Sequence, residues 1–272
     1  MRDSRSAAAA LVTALLAGCA TAPTQDPAPR YSQDIDGAPA RVDIDVLAVP
    51  DAIPRHEPRA TRGNPPFYEV DGQRYFVMGS GSGHVERGIA SWYGTKFHGR
   101  TTSSGEPYDM FAMTAAHRNL PLPSFAKVTN LQNGRSIVVR INDRGPFAHN
   151  RIVDLSYAAA VRLGIVGEGT GLVELRVLDP DRPEGPVVPE DPVGPPPRLF
   201  VQVGAFASRD NAERVVERLY AAQLYNVELT PHEFGTPLWR VRAGPLADVE
   251  EVDAVAQKIS DAGFPEARVV IE

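Results

Sequence analysis

Among the acidic and imidazole side chains in the middle of the chain, Glu106, His117 and Asp143 can each take up and release a proton. Two carboxyls and an imidazole are the ordinary equipment of general acid–base chemistry. Taken one at a time, each also has a plainer account. Asn142-Asp143-Arg144-Gly145-Pro146 is a good turn sequence, in which Asp143 would only bond nearby backbone. Glu106 follows Gly105 in a polar loop, where most glutamates are simply solvated. A lone histidine is more often structural than catalytic. Sulfur offers little more. One cysteine, Cys19, is too few for a disulfide scaffold or a Cys-based zinc site, and no metal or cofactor site is expected.

The elements that would hold these groups are mostly strands. Ile89-Ala90-Ser91-Trp92-Tyr93, Ala126 to Asn130, Ser136 to Ile141 and Gly171 to Val177 are strand-like, and Asn133-Gly134 is a hairpin signal between two of them. One helix interrupts, with Ser156 as N-cap, an alanine run after it and Gly164 at its end. Short strands with one helix suggest a small closed barrel. Beyond residue 198 the pattern repeats. Val201-Gln202-Val203-Gly204-Ala205-Phe206 aligns with Val241-Arg242-Ala243-Gly244-Pro245-Leu246 at an offset of 40, and an amphipathic helix and a strand follow each copy. Two such halves make a four-stranded βαββαβ sheet with both helices on one face. Val201, Val203, Val241 and Ala243 then point inward, and Phe200, Gln202, Gly204, Arg240 and Arg242 line the open face.

The rest of the chain reads as address and spacers. Arg2 and Arg5 precede an apolar run, Ala7 to Ala17, that is too short to span a membrane, so residues 1–18 are expected to be a signal peptide. Leu16-Ala17-Gly18-Cys19 resembles the lipobox of bacterial lipoproteins, which implies acylation of Cys19, and Ala20 rather than Asp after it points to the outer membrane. Nine prolines between Ala20 and Pro66, and eight between Pro180 and Pro197, mark a disordered tether (19–66) and a linker (180–197). Between them lie a lead-in (67–86) and a barrel domain (87–179), with the repeat domain at 198–272. Across 272 residues, hydrophobic residues make up 43% and the net charge is −6, which excludes wholesale disorder and a polycation built for nucleic acid.

Gly88 to Gly94, Phe97 to Glu106, Thr114-Ala115-Ala116-His117, Leu120 to Ser124 and Asn142 to Phe147 together resemble the RlpA (rare lipoprotein A) family, in its order and spacing. The resemblance implies a mainly β fold, a six-stranded double-psi barrel, and lytic transglycosylase activity on peptidoglycan: endolytic cleavage of MurNAc-GlcNAc β-1,4 bonds leaving 1,6-anhydro ends. It implies Asp143 as acid/base, Glu106 as a second carboxyl that raises a partner's pKa or steadies positive charge, and His117 as a polar orienter. Trp92, Tyr93 and Arg144 are the expected sugar contacts. The repeat domain resembles a SPOR domain, an RNP-like module that binds glycan stripped of stem peptides at division sites. Eight basic against twelve acidic residues in 198–272 argue against RNA there. The expected protein is an outer-membrane lipoprotein facing the periplasm and enriched at the septum, with stripped glycan, lipid and septal wall proteins as partners. The competing reading is a non-catalytic wall-binding or wall-remodelling lipoprotein. The proline-rich linker predicts two domains that fold and act independently.

Overall fold

The computed structural model describes residues 36–148, 150–181, 196–232 and 238–272. The signal segment, Cys19 and most of the proline-rich linker lie outside these residues. A two-stranded hairpin comes first, β1 (Phe67–Val70) and β2 (Gln73–Phe76). A closed barrel follows, built from β3 (Val85–Tyr93), β4 (Thr114–His117), β5 (Ser124–Asn130), β6 (Ser136–Asp143), β7 (Arg151–Ser156) and β8 (Gly171–Val177), with α1 (Tyr157–Leu163) between the last two. The strands close in the order β3-β7-β4-β6-β5-β8. Two pairs, β3/β7 and β4/β6, are parallel and the others antiparallel, so strands distant in sequence become neighbours. This is the closed, six-stranded, mainly β barrel that the sequence led us to expect.

Alternating apolar residues fill the barrel: Val128, Val139, Ile141, Val153, Leu155 and Leu175 are fully buried. Helix α1 plugs one side with Ala158, Ala159 and Ala160, none of them exposed. Its ends are fixed as the residue types demand. The Ser156 hydroxyl accepts the Ala159 amide at 3.2 Å, and Gly164 takes the left-handed φ of 80° that lets the last turn close. Asn133-Gly134 sits in the turn joining β5 to β6. Strands β4 and β7 carried no clear signal of their own.

The second sheet consists of β9 (Leu199–Phe206), β10 (Val227–His232), β11 (Leu238–Leu246) and β12 (Arg268–Ile271), in the order β10-β11-β9-β12. Helices α2 (Arg209–Ala221) and α3 (Val249–Asp261) pack on it. The predicted inward quartet is buried: Val201, Val203, Val241 and Ala243 are at most 9% exposed. This is the expected βαββαβ arrangement.

Two expectations about the spacers fail. Residues 36–66, read as part of a disordered tether, wrap the barrel as a strap. Val46 is buried in the barrel core, the Ala52 amide donates to Val138 O at 3.0 Å, and the Ala60 amide donates to Leu122 O at 2.9 Å. Arg162 holds the strap by bonding Val49 O and Asp51. Proline content hides this, because a segment without its own secondary structure can still be ordered by donors and acceptors on a neighbouring sheet edge. The two domains are also not separate bodies. Ile89 and Leu172 of the barrel are buried in the hydrophobic cluster of the second domain, and Arg151 of β7 pairs with Asp253 of α3 at 2.6 and 3.0 Å. A linker's composition sets its own stiffness but not whether the surfaces it joins stick to each other.

The strap gives a direct test. Hydrogen exchange followed by mass spectrometry should find the amides of Ala52 and Ala60 protected to the level of barrel strands. Exchange there as fast as in an unstructured peptide would show that residues 36–66 are detached.

Candidate active site

Asp143 ends β6, and the chain turns at once through Arg144 and Gly145. Its Oδ1 accepts the Ser103 amide at 2.8 Å, the Ser103 hydroxyl at 2.7 Å and the Arg144 amide at 2.7 Å. Three donors on one oxygen fix the orientation of the carboxylate. The loop that supplies Ser103 also carries Glu106. Both Glu106 oxygens are held by Arg140, at 2.7 and 2.8 Å, and Asn142 Nδ2 adds a bond at 3.1 Å. These bonds, Arg140 first, hold the Glu106 carboxyl below its ordinary range although burial opposes them. Arg140 is shared with Glu57 of the strap at 2.7 and 3.1 Å. Glu106 therefore anchors its loop to β6 as a neutralised carboxylate. Of the two parts expected of it, raising a partner's pKa or steadying positive charge, its pairing with Arg140 is of the second kind.

His117 lies apart from these two carboxyls in its bonding. It is 2% exposed, and its Nδ1 accepts two backbone amides, Asn119 and Leu120, each at 3.1 Å. The ring proton must then sit on Nε2, which faces Glu86 Oε2 at 3.3 Å. His84 Nε2 reaches the same oxygen at 3.2 Å. Burial pushes the His117 imidazole down, with Glu86 opposing. Glu86 itself, though burial raises it, ends below its ordinary range through its bonds to His117 and His84. His117 thus orients Glu86, to which His84 also bonds. Their three ligand atoms lie within 4.8 Å of one another. A metal-bound histidine, however, needs the ion-facing nitrogen bare and donates from the other one, the reverse of what the two amides impose. The cluster does not fit a metal.

The structure adds a carboxyl that the sequence reading missed. Asp154 of β7 pairs with Ala116 of β4, and Ala116 pairs with Asp143 of β6. The two carboxyl-bearing residues stand in one row across three strands, about 10 Å apart at their backbones from the usual strand spacing. Burial raises the Asp154 carboxyl above its ordinary range, and Asp36 and Asp143 add to this against a Ser91 hydrogen bond and Arg151. The buried Tyr93 phenol, raised first by burial, is raised further by Tyr108 and by both Asp143 and Asp154. One carboxyl is tied down by three donors, and the other is buried and pushed above its ordinary range. Two carboxyls in such different settings make a candidate acid/base pair. The available signal was Asp154 itself, a lone acid among apolar residues in Arg151-Ile152-Val153-Asp154-Leu155-Ser156, but its pairing depends on a barrel order that no local pattern reveals.

The other predicted contacts divide. Tyr93 is buried and stacks on Tyr108 at 4.1 Å, and Trp92 packs on Tyr157 at 5.8 Å, so both serve the core more than a cleft. The Arg144 guanidinium does not face substrate. It bonds the carbonyls of Gly63 at 2.6 Å, His117 at 3.0 Å and Leu120 at 2.6 Å. In the second domain, Phe200 is 1% exposed beneath Arg242, whose guanidinium lies 4.5 Å over its ring and pairs with Glu228 and Glu272. Phe200 and Arg242 are therefore structural, and the open face is left to Gln202, Gly204 and Arg240.

His117 provides a measurable consequence. The folded state binds the imidazole proton more weakly than the unfolded chain, so its contribution to stability is full above the ordinary imidazole range. That contribution is lost as pH falls through this range toward the depressed value. Urea unfolding between neutral pH and the top of the carboxylate range should show this decline, and His117→Asn should flatten it. An unchanged slope in the variant would assign the decline to another group.

Residues 85–175 match the family model described as lytic transglycolase, and residues 195–270 match the SPOR domain. The endolytic peptidoglycan transglycosylase RlpA of Pseudomonas aeruginosa is 35% identical over 328 aligned positions, covering 96% of this chain and 94% of that protein. The protein of the same name from Vibrio cholerae is 37% identical over 270, covering 94% and 93%. A Helicobacter pylori relative of that name reaches 51% over 111 residues, 41% of this chain and 35% of its own. With matches that run nearly end to end in both partners, and both domain models matched in order along the chain, the chain belongs to the RlpA family.

Proposed function

We propose that the protein is an endolytic peptidoglycan transglycosylase that cleaves MurNAc-GlcNAc β-1,4 bonds in peptide-stripped glycan. The carrying observation is the row Asp154-Ala116-Asp143, which sets a buried carboxyl pushed above its ordinary range in line with one fixed by three donors. Asp154 is the general acid and gives its proton to the leaving O4 as the bond from C1 breaks. Asp143, with Oδ1 locked by three donors, steadies the oxocarbenium-like centre. The C6 hydroxyl of the same MurNAc then closes on C1, and its proton passes to the Asp154 carboxylate. One C–O bond breaks, one forms, and no water is consumed. This assigns the acid to Asp154, where the sequence alone pointed to Asp143. Glu106 and His117 act at one remove, Glu106 by fixing the Ser103 loop and His117 by orienting Glu86.

The SPOR domain supports capture of stripped glycan at the division site through Gln202, Gly204 and Arg240. We also propose that acylated Cys19 anchors the chain to the outer membrane with both domains in the periplasm. The support is Leu16-Ala17-Gly18-Cys19 after a short apolar run.

Mass spectrometry of products from amidase-treated wall tests the chemistry. The wild-type chain should release anhydro ends, and Asp154→Asn should reduce turnover by about 100-fold or more while its fold stays cooperative. Turnover should also fall as pH rises through the elevated Asp154 value, since the acid must carry its proton. Reducing ends would mean a hydrolase, and no products a binder. Near-normal turnover by Asp154→Asn would remove it as the acid. For the anchor, Cys19→Ser should leave the precursor unprocessed and free of lipid label. Normal membrane fractionation of that variant would sink the lipoprotein assignment.

A further inference from the structure

The hairpin β1–β2, expected only as a lead-in, carries an aromatic set at the mouth of the site. Its register pairs Tyr68 with Tyr75 and Phe67 with Phe76, so alternation sends the tyrosines to one side and the phenylalanines to the other. The tyrosine rings stack at 5.4 Å and 24°. Phe147, just past the Asp143 turn, meets Tyr75 at 5.6 Å and Tyr68 at 6.3 Å. The hairpin is held in place from below. Tyr68 Oη donates to Arg118 O at 2.9 Å, and Asn119 Nδ2 donates to Phe76 O at 2.7 Å.

This set opens on the carboxyl pair through Gly145. A Cβ added there would stand 3.7 Å from Asp154 Oδ2, 3.8 Å from Ala116 Cβ and 4.0 Å from Phe147 Cε2. The glycine, at φ 134°, thus leaves one empty point flanked by the acid, the middle residue of the row and the edge of the Phe147 ring. Phe147 is 40% exposed. A ring backed by the hairpin tyrosines yet still partly open to solvent leaves apolar surface beside the carboxyl pair, and such surface fits a ligand with an apolar face. A pyranose ring presents such a face of C–H groups.

We infer that Tyr75 and Phe147, backed by Tyr68, form a sugar-stacking subsite next to the scissile bond. The hairpin is then a wall of the substrate groove, occupied by a pyranose of the glycan strand being cut. This rests on the proposed function for the identity of the strand.

The test uses full-length protein and peptide-free glycan from amidase-treated wall. Phe147→Ala and Tyr75→Ala should each raise KM about tenfold and leave kcat within about twofold. Phe147→Trp should restore KM, and Phe76→Ala, on the other side of the hairpin, should behave as wild type. Equal KM for Phe147→Ala and Phe76→Ala, or a loss confined to kcat, would overturn the subsite. A second measurement does not need turnover. In Asp154→Asn protein, the ring resonances of selectively labelled Tyr75 and Phe147, assigned by substitution, should shift when the same glycan is added. If they shift while wild type yields no anhydro ends, the subsite stands and the proposed chemistry falls. If anhydro ends form while the rings and KM are unmoved, the subsite falls.

Discussion

A single guanidinium organises the working end of the barrel. Arg144 follows Asp143 directly, and its five donors are spent on backbone and amide oxygens from separate segments: Gly63 and Asn64 of the strap, and His117, Arg118 and Leu120 after β4. It also lies 5.7 Å from the Tyr68 ring centre. Burial lowers its pKa, with no more than distant compensation from Tyr68 and Asp143. A charge set among carbonyl dipoles without a bonded carboxylate is tolerable only when every donor has an acceptor, and a planar fork can meet that demand where a point charge cannot. Strap, β4 exit, hairpin and catalytic turn therefore hold their places together.

That constraint lets two neighbouring acids differ. Asp143 sits at the fixed turn, where amides converge on it. Asp154 lies two strands away on β7, where the barrel supplies burial and a single serine hydroxyl. The difference arises from what the backbone offers each residue, since the two side chains are chemically identical. Glu106 shows a third setting, a carboxylate cancelled by Arg140 and so committed to holding a loop.

How much of this was legible follows the range of each interaction. The Ser156 cap, the Gly164 terminus and the Asn133-Gly134 turn are local, and the sequence displayed them. The repeat at offset 40 is also local within each copy, and it yielded the second sheet and its inward quartet. Asp154 was hidden because its row crosses β7, β4 and β6, which are joined by a closed parallel–antiparallel order. The Glu86 partner of His117 lies 31 positions upstream, on a strand that is not its direct neighbour. The strap was misread for a different reason. Its prolines deny it a helix or ladder of its own, yet isolated amides such as Ala52 and Ala60 still find carbonyls on the barrel. Composition reports what a segment can do alone.

The contact between the domains bears on association. In the second sheet β12 is an outer strand, and such a strand ordinarily presents a row of unpaired amides to any passing chain. Here β12 lies against β3 of the barrel, which covers that border. The opposite border, β10, contains Pro231, which has no amide hydrogen to donate, and the charged Glu228. Neither border offers a long, bare template for strand addition. A domain working at high local density along a polymer is thereby protected from pairing sheet to sheet with its own copies.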